Sequence, residues 1–248
     1  MFRNLFLMLL ALMFLMSGCG DDDPINGDLS LGFRATWGGA PLAMNGVLTY
    51  ENGKQFKFDR FSFYVSEVTL LGGPDGDRVI TDVDMVNLSA ATTTSEAVAG
   101  VRLANVSIPV GVYSGIRLGL GLTGSQNAMK PAQFGQGHPL SAPGEYWDGW
   151  QSYIFAKVEG RVSSNNDGIF NFGFAYHTGS DEVFRTMSVT IPVTVDAGGV
   201  ASLVGTIDVK KLLAGIDLTD QTGGHTIGDI GLATILMDNF RSDALSFE

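Results

Sequence analysis

Three histidines and two neighbouring tryptophans are the side chains of this sequence that could form a binding site. The histidines are His138, His177 and His225, and the tryptophans are Trp147 and Trp150. Imidazole is the commonest neutral metal ligand in proteins, and it suits copper and zinc. No two of these histidines have the close spacing of a local metal motif. Any metal site must therefore be assembled by the fold.

His177 has the most informative surroundings of the three histidines. Strand alternation puts it on the same face as the small residues of segment 171–175, which leaves room for a ligand. A hydrogen-bonded structural histidine at a strand end fits the same pattern. His138 lies in a long loop and His225 precedes a predicted helix, and both positions also suit ordinary surface histidines.

Trp147 and Trp150 precede a strand predicted over residues 153–162 and follow the long segment 123–144, which is rich in Gly, Pro, Asn and Gln. A loop of that length within a compact domain is usually functional or disordered. In an extended chain, residues three apart point to opposite faces, so only one of the two rings would line a given pocket. The pair either contributes to a site near His177 or belongs to the core.

Known catalytic signatures are missing from the sequence. It has no Gly-x-Ser-x-Gly elbow, no His-Glu-x-x-His motif and no complete calcium loop. Residues 119–124, GLGLTG, match a dinucleotide-binding pattern, but Pro131 interrupts the helix that this motif requires. We therefore expect a binding protein and not an enzyme.

The first 18 residues have the features of a bacterial lipoprotein signal peptide. Arg3 precedes an apolar run over residues 5–16, which is shorter than the roughly 20 residues that span a bilayer. Cys19 follows Ser-Gly as in a lipobox, so it is predicted to carry lipid, with an ordinary signal peptide as the alternative. We expect an extracytoplasmic, lipid-anchored protein on the periplasmic or the surface-exposed face of the outer membrane.

The charge and the cysteine content exclude one class of partner and one kind of covalent cross-link. The formal net charge of −11 argues against nucleic acid, because Lys and Arg supply most of that affinity. Cys19 is the only cysteine, so the mature fold contains no disulfide. Residues 19–28 begin with an Asp-rich run and are predicted to form an acidic tether. The lipid anchor alone would provide membrane attachment.

Residues 29–248 are predicted to form one all-β domain, a β-sandwich of the immunoglobulin-like or Greek-key type with long loops. Glycines punctuate short alternating runs throughout, as in sandwiches and barrels. One or two short helices are expected, at residues 209–215 and 229–240. The main strands are predicted at residues 29–36, 56–71, 113–122, 153–162, 169–176, 183–195 and 200–209.

Four stretches, in order along the chain, resemble segments of the MbnP-like family, the methanobactin-associated periplasmic copper-binding proteins and their relatives. They are FSFYVSEVTLLGG at 61–73, PVGVYSGIRLGLGL at 109–122, HPLSAPGEYWDGWQSYIFAKVEG at 138–160 and FAYHTGS at 174–180. The resemblance implies an exported, β-rich protein without enzymatic activity. Characterised members bind copper through histidines and a kynurenine, which a di-haem partner of the cytochrome c peroxidase type makes from tryptophan.

Carried over by motif, the resemblance makes His177 the candidate copper ligand, with His138 as a second. Trp147 and Trp150 match the family's two-tryptophan block and are the candidates for oxidation, although one extra residue separates them. Ala128 stands where many copper-binding relatives have a histidine. The alternative expectation is a metal-free surface binding or structural domain that has lost the copper site.

Overall fold

The computed structural model describes residues 25–225 and 230–248. The predicted signal peptide, Cys19 and most of the acidic tether lie outside the described residues. Within the part that is described, no helix has the length and hydropathy needed to cross a membrane.

Strands dominate the described residues, as the sequence predicts. The strands are β1 Asn26–Trp37, β2 Ala40–Pro41, β3 Leu48–Thr49, β4 Gln55–Gly73, β5 Gly76–Asn87, β6 Val101–Pro109, β7 Gly111–Leu120, β8 Tyr146–Trp147, β9 Ser152–Ser163, β10 Phe172–Gly179, β11 Arg185–Val195, β12 Val200–Asp208, β13 Gly223–His225 and β14 Leu245–Phe247. The α-helices are α1 Thr94–Ala99, α2 Gly124–Asn127, α3 Val209–Leu212 and α4 Ile230–Asn239.

Two sheets face each other and confirm the all-β sandwich. The smaller sheet has the order β14-β12-β1-β2, with β6 also paired to β1. The larger sheet has the order β11-β7-β4-β9-β10-β13, with β3 and β5 also on β4. Most pairs are antiparallel, but β1–β12 and β10–β13 are parallel. The second parallel pair matters for the candidate site, because it brings β13 to the edge of the larger sheet.

Helices α3 and α4 lie where the sequence predicts them, and α1 and α2 are additional. The Thr93 and Thr123 side chains each accept a hydrogen bond from the backbone N–H three residues ahead. The Glu96 and Gln126 side chains in turn accept from the Thr93 and Thr123 N–H groups. These capping boxes explain why short helices form at these two places. Strand β1 begins at Asn26, which pairs with Pro109, so residues 26–28 belong to the sheet and not to the tether.

Aromatic side chains fill the space between the sheets. The Phe63 ring makes edge-to-face contacts with Phe33 and Phe240, at centroid distances of 5.7 and 4.9 Å. Alternate apolar residues of β7 and the segment directly after it are completely buried. They are Ile116, Leu118 and Leu120 in the strand and Leu122 beyond it.

Aromatic residues alternate over positions 170–176, which predicts one row on a single strand face, but only half of this row is buried. Phe174 and Tyr176 are buried in the core, but Phe172 is 55% exposed. Phe170 precedes β10, and its ring lies 5.2 Å from the Lys57 ammonium. The hairpin that joins β9 to β10 extends further than predicted, so Phe170 leaves the strand alternation.

We predict that Phe63→Ala lowers the free energy of unfolding by about 3–5 kcal/mol, because a large buried side chain leaves a cavity. Urea denaturation measures the effect. The control Val79→Ala alters a residue that is 63% exposed, and it should change stability by less than about 0.5 kcal/mol. An equal loss in both variants would contradict the assignment of Phe63 to the core.

Candidate functional site

The long segment between β7 and β8 is ordered by short helical turns. After α2, single 3₁₀ turns cover Pro131–Gln133, Pro139–Ser141 and Pro143–Glu145. Each turn begins with proline, whose fixed backbone angle suits the first helical position and whose missing N–H is not needed there. The segment thus folds as a series of turns against the larger sheet, and its side chains can be placed.

Asn127 ties this segment to two strands. Its side-chain oxygen accepts hydrogen bonds from the Ser152 hydroxyl at 3.1 Å and from the Tyr153 N–H at 2.9 Å. Its amide nitrogen donates to Asp181 at 2.9 Å. Asn127 is buried, so these bonds satisfy polar groups whose burial without a partner would lower the stability of the fold. Ala128, which stands where many copper-binding relatives have a histidine, follows Asn127 directly and so lies beside these hydrogen bonds.

A buried ion pair fixes the other end of the segment. The Lys157 ammonium lies 2.8 Å from the Glu145 carboxylate and donates to the Gly144 carbonyl at 2.7 Å. Glu145 and Lys157 are only 5% and 4% exposed. The Arg60 guanidinium lies 3.4 Å from the second Glu145 oxygen. Buried charges persist only when they are paired and hydrogen-bonded, and this pair meets that condition.

Two tyrosine hydroxyls hold the middle of the segment. Tyr64 donates to the Pro139 carbonyl at 3.0 Å and Tyr153 donates to the Leu140 carbonyl at 2.8 Å. Burial raises the pKa of Tyr153 to about 12 and raises the pKa of Tyr64 above its usual range. Both hydroxyls therefore remain protonated at neutral pH, and they continue to donate to the two loop carbonyls.

His177 lies on β10 between two strand partners. Its backbone pairs in register with Lys157 on β9 and with His225 on β13. The His177 Nε2 atom is 2.8 Å from the Glu159 carboxylate. This hydrogen bond, together with the charges of His177, Arg60 and Lys157, lowers the pKa of Glu159 even though burial opposes it.

The ionised Glu159 carboxylate determines which tautomer of His177 is present. A carboxylate only accepts hydrogen bonds, so Nε2 must carry the proton. In the neutral ring the lone pair is then on Nδ1. A histidine that ligates a metal typically donates its other N–H to a carboxylate in this way, which fixes the ring and raises its basicity. The hydrogen bond between His177 and Glu159 is therefore of the kind that orients a metal-ligating histidine.

The structure does not bring His138 and His177 together. The His138 Nδ1 atom accepts the Leu140 N–H at 3.1 Å, and the ring stacks on Phe134 at 4.2 Å. Burial raises the pKa of Asp84 on β5, and this shift is opposed by the hydrogen bond from the Met85 N–H and by the charge of His138. The turn Pro139–Ser141, which follows His138, also contacts β5, so His138 lies near this strand. Strands β5, β4, β9 and β10 are successive neighbours, so β5 and β10 lie about 14 Å apart.

Trp147 and Trp150 stack on each other across a tight turn. The Trp150 N–H donates to the Trp147 carbonyl at 3.1 Å, and Gln151 has a φ of 56°. The ring centroids are 4.2 Å apart and the ring planes differ by 18°. The expectation that the rings point to opposite faces is wrong, because the chain reverses here and is not extended.

The tryptophan pair belongs neither to the core nor to the surroundings of His177. Trp147 is 36% exposed and pairs with Ser152 at the start of β9. His177 pairs with Lys157, five residues further along the same strand. That interval corresponds to about 17 Å. The two groups of candidate residues therefore occupy different parts of the larger sheet.

Among residues 25–225 and 230–248, no three His, Cys, Asp or Glu side chains lie close enough together to hold a metal ion. The pairing of His177 with His225 is not predicted from the sequence, because β13 is too short to show alternation. The ion pair between Glu145 and Lys157 is not predicted either. Alternation places Lys157 on the same face as Glu159 and Arg161, so the sequence does not mark it as buried.

We predict that Glu145→Leu lowers the free energy of unfolding by about 3–5 kcal/mol, because Lys157 stays buried without its partner. The double variant Glu145→Leu/Lys157→Met should recover most of this loss, since an apolar pair can replace a buried ion pair. Urea denaturation of the three proteins measures both effects. A single variant as stable as the unmodified protein would contradict the role of the pair.

Comparisons with known proteins agree on one family. The MbnP family model matches residues 26–229. The solved structure of MbnP from Methylosinus trichosporium aligns with a TM-score of 0.60 at 12% sequence identity, over 90% of this chain and 98% of that chain. This likeness supports the shared fold. No curated protein matches the chain by sequence. Because the family model covers most of its length, the chain belongs to the MbnP family.

Proposed function

We propose that this chain is an exported, lipid-anchored binding protein, not an enzyme, and that it binds copper at the edge of the larger sheet. The observation that carries the proposal is the in-register pairing of His177 with His225, beside the carboxylate of Glu159. Cys19 would provide the lipid anchor. Family membership supports an extracytoplasmic location on the periplasmic or surface-exposed face of the outer membrane.

Two histidine positions on adjacent strands suit a copper ion. Neighbouring strands lie about 4.8 Å apart, and residues paired in register occupy the same face of a sheet. Imidazole nitrogens suit copper, and Glu159 would orient the His177 ring. Bound copper would be held at this edge through the His177 imidazole. His138 is not part of the proposed site, because its Nδ1 atom already accepts a backbone hydrogen bond.

We predict that His177→Ala weakens Cu(I) binding by at least tenfold, because it removes the proposed ligand. Competition of the mature protein against a chromophoric Cu(I) chelator measures the affinity. Glu159→Gln should weaken binding about 10–100-fold, as expected when a carboxylate behind a ligating histidine is lost. The control His138→Ala should bind as the unmodified protein does. Unchanged binding in His177→Ala would refute the site.

The tryptophan pair is the proposed target of a di-haem partner of the cytochrome c peroxidase type. Such a partner would have to reach an indole at the protein surface, and Trp147 is 36% exposed. Trp147 and Trp150 are the only candidates, since Trp37 packs between Phe56 and Phe58. The register along β9 indicates that a modified ring would act apart from the copper site.

We predict that co-production with the di-haem partner adds a small mass to the intact protein, from conversion of one tryptophan to kynurenine. Trp147→Phe should abolish the gain, and the control Trp37→Phe should retain it. Intact-mass and peptide mass spectrometry locate the change. A gain that persists in the double variant Trp147→Phe/Trp150→Phe would show that the hairpin is not the target.

A metal-free surface binding domain is the second candidate function. It is favoured by Ala128, which stands where many copper-binding relatives have a histidine. It is also favoured by an open polar groove of about 290 Å³ on the larger sheet, next to Glu159. In this case the His177–Glu159 hydrogen bond would stabilise the sheet edge, and ligand binding would take place in the groove.

A further inference from the structure

The outer face of β9 and β10 carries the groove, between the hairpin that joins these strands and the strand positions near His177. Its volume of about 290 Å³ is close to the lower end of small-molecule sites, roughly 300–1,000 Å³. It is lined by Asp59, Glu159, Gly160, Arg161, Phe170, Asn171, Gly173, Phe174 and Ala175. The groove lies apart from the tryptophan hairpin.

Small residues form the floor of the groove. Gly173 and Ala175 are strand residues paired with Arg161 and Glu159 on β9. A Cβ atom placed on Gly173 would have the Gly160 carbonyl oxygen as its nearest neighbour, at 3.9 Å. The space above Gly173 is therefore open, and its backbone could carry a larger residue. The groove is open here because Gly173 and Ala175 are small, and this does not depend on an unusual backbone conformation.

The charged groups that line the groove, Asp59, Glu159 and Arg161, already have partners. The Arg161 Nε atom donates to Asp59 at 2.9 Å, and Lys57 lies 3.9 Å from the other Asp59 oxygen. Glu159 accepts from His177 at 2.8 Å. A charged ligand would have to compete with these existing partners. A neutral ligand with many hydroxyl groups would not.

Hydrogen-bonding capacity nevertheless remains at the surface of the groove. Within the described part of the chain, the Arg161 terminal nitrogens and the second Glu159 oxygen make no hydrogen bond. Asn171 accepts from Ser164 through its oxygen at 3.1 Å, which leaves its amide nitrogen as a donor. The groove thus offers both donors and an acceptor, and Phe170 is one of its lining residues.

We propose that this groove binds a neutral saccharide. Sugar hydroxyls donate and accept together, so they can bridge the Glu159 carboxylate and the Arg161 guanidinium without breaking either existing pair. An apolar sugar face can pack on the Phe170 ring. The groove is open at the surface, so an oligosaccharide can lie along it. The proposal does not depend on copper binding at His177.

Saturation-transfer NMR and calorimetry of the mature protein test the proposal, with cellotetraose, maltotetraose and N-acetylated chitotetraose as probes. We expect at least one of these neutral tetrasaccharides to bind. Gly173→Leu fills the groove from its floor and should weaken that binding at least tenfold. The control Thr190→Leu places the same side chain on an exposed position of β11 and should bind like the unmodified protein.

Three outcomes would overturn the proposal. The first is that none of the three probes binds at millimolar concentration. The second is equal binding by Gly173→Leu, which would place the sugar elsewhere. The third is tighter binding of the deacetylated, cationic chitotetraose, which would show that the paired charges do not favour a neutral ligand. Copper affinity should be the same in Gly173→Leu and the unmodified protein, so the groove and the copper site can fail separately.

Discussion

The buried ion pair between Glu145 and Lys157 is the constraint on which the arrangement of both candidate sites depends. Two charges that are almost fully removed from water remain there only if they stay in contact. Glu145 directly precedes the strand that carries Trp147, and Lys157 is the register partner of His177. This one interaction therefore holds the long loop on the larger sheet and sets its position relative to the histidine.

Strand β9 connects all the features with functional potential. Its first residues bind the Asn127 side chain and support the tryptophan hairpin. Lys157 fixes the loop, Glu159 holds His177, and Arg161 lines the groove. Alternation along a single strand thus separates a core face, where the aromatic side chains pack, from an outer face with three chemically different regions. A change in one region need not disturb the other two.

The sequence predicted what depends on local pattern and failed where the chain reverses or pairs at long range. The strand predicted at residues 113–122 and the helix predicted at 209–215 are confirmed, because both depend on local signals. The signals are the alternation of apolar residues in β7 and the N-cap residue Asp208, whose side chain accepts from the Lys210 N–H. The stacking of Trp147 on Trp150 depends on a turn with a positive φ at Gln151. Residues other than glycine seldom adopt a positive φ, so a glutamine in the sequence does not predict this turn. The His177–His225 pairing depends on a parallel strand of three residues, which has no periodic signature.

In the proposed function, copper binds at the β10–β13 edge and not at the tryptophan hairpin. A crystal structure of the copper-loaded protein, with anomalous diffraction recorded at the copper absorption edge, distinguishes the two places. We expect one strong anomalous peak at the β10–β13 edge, beside His177 and Glu159. A peak beside Trp147 and Trp150, with none at His177, would contradict it.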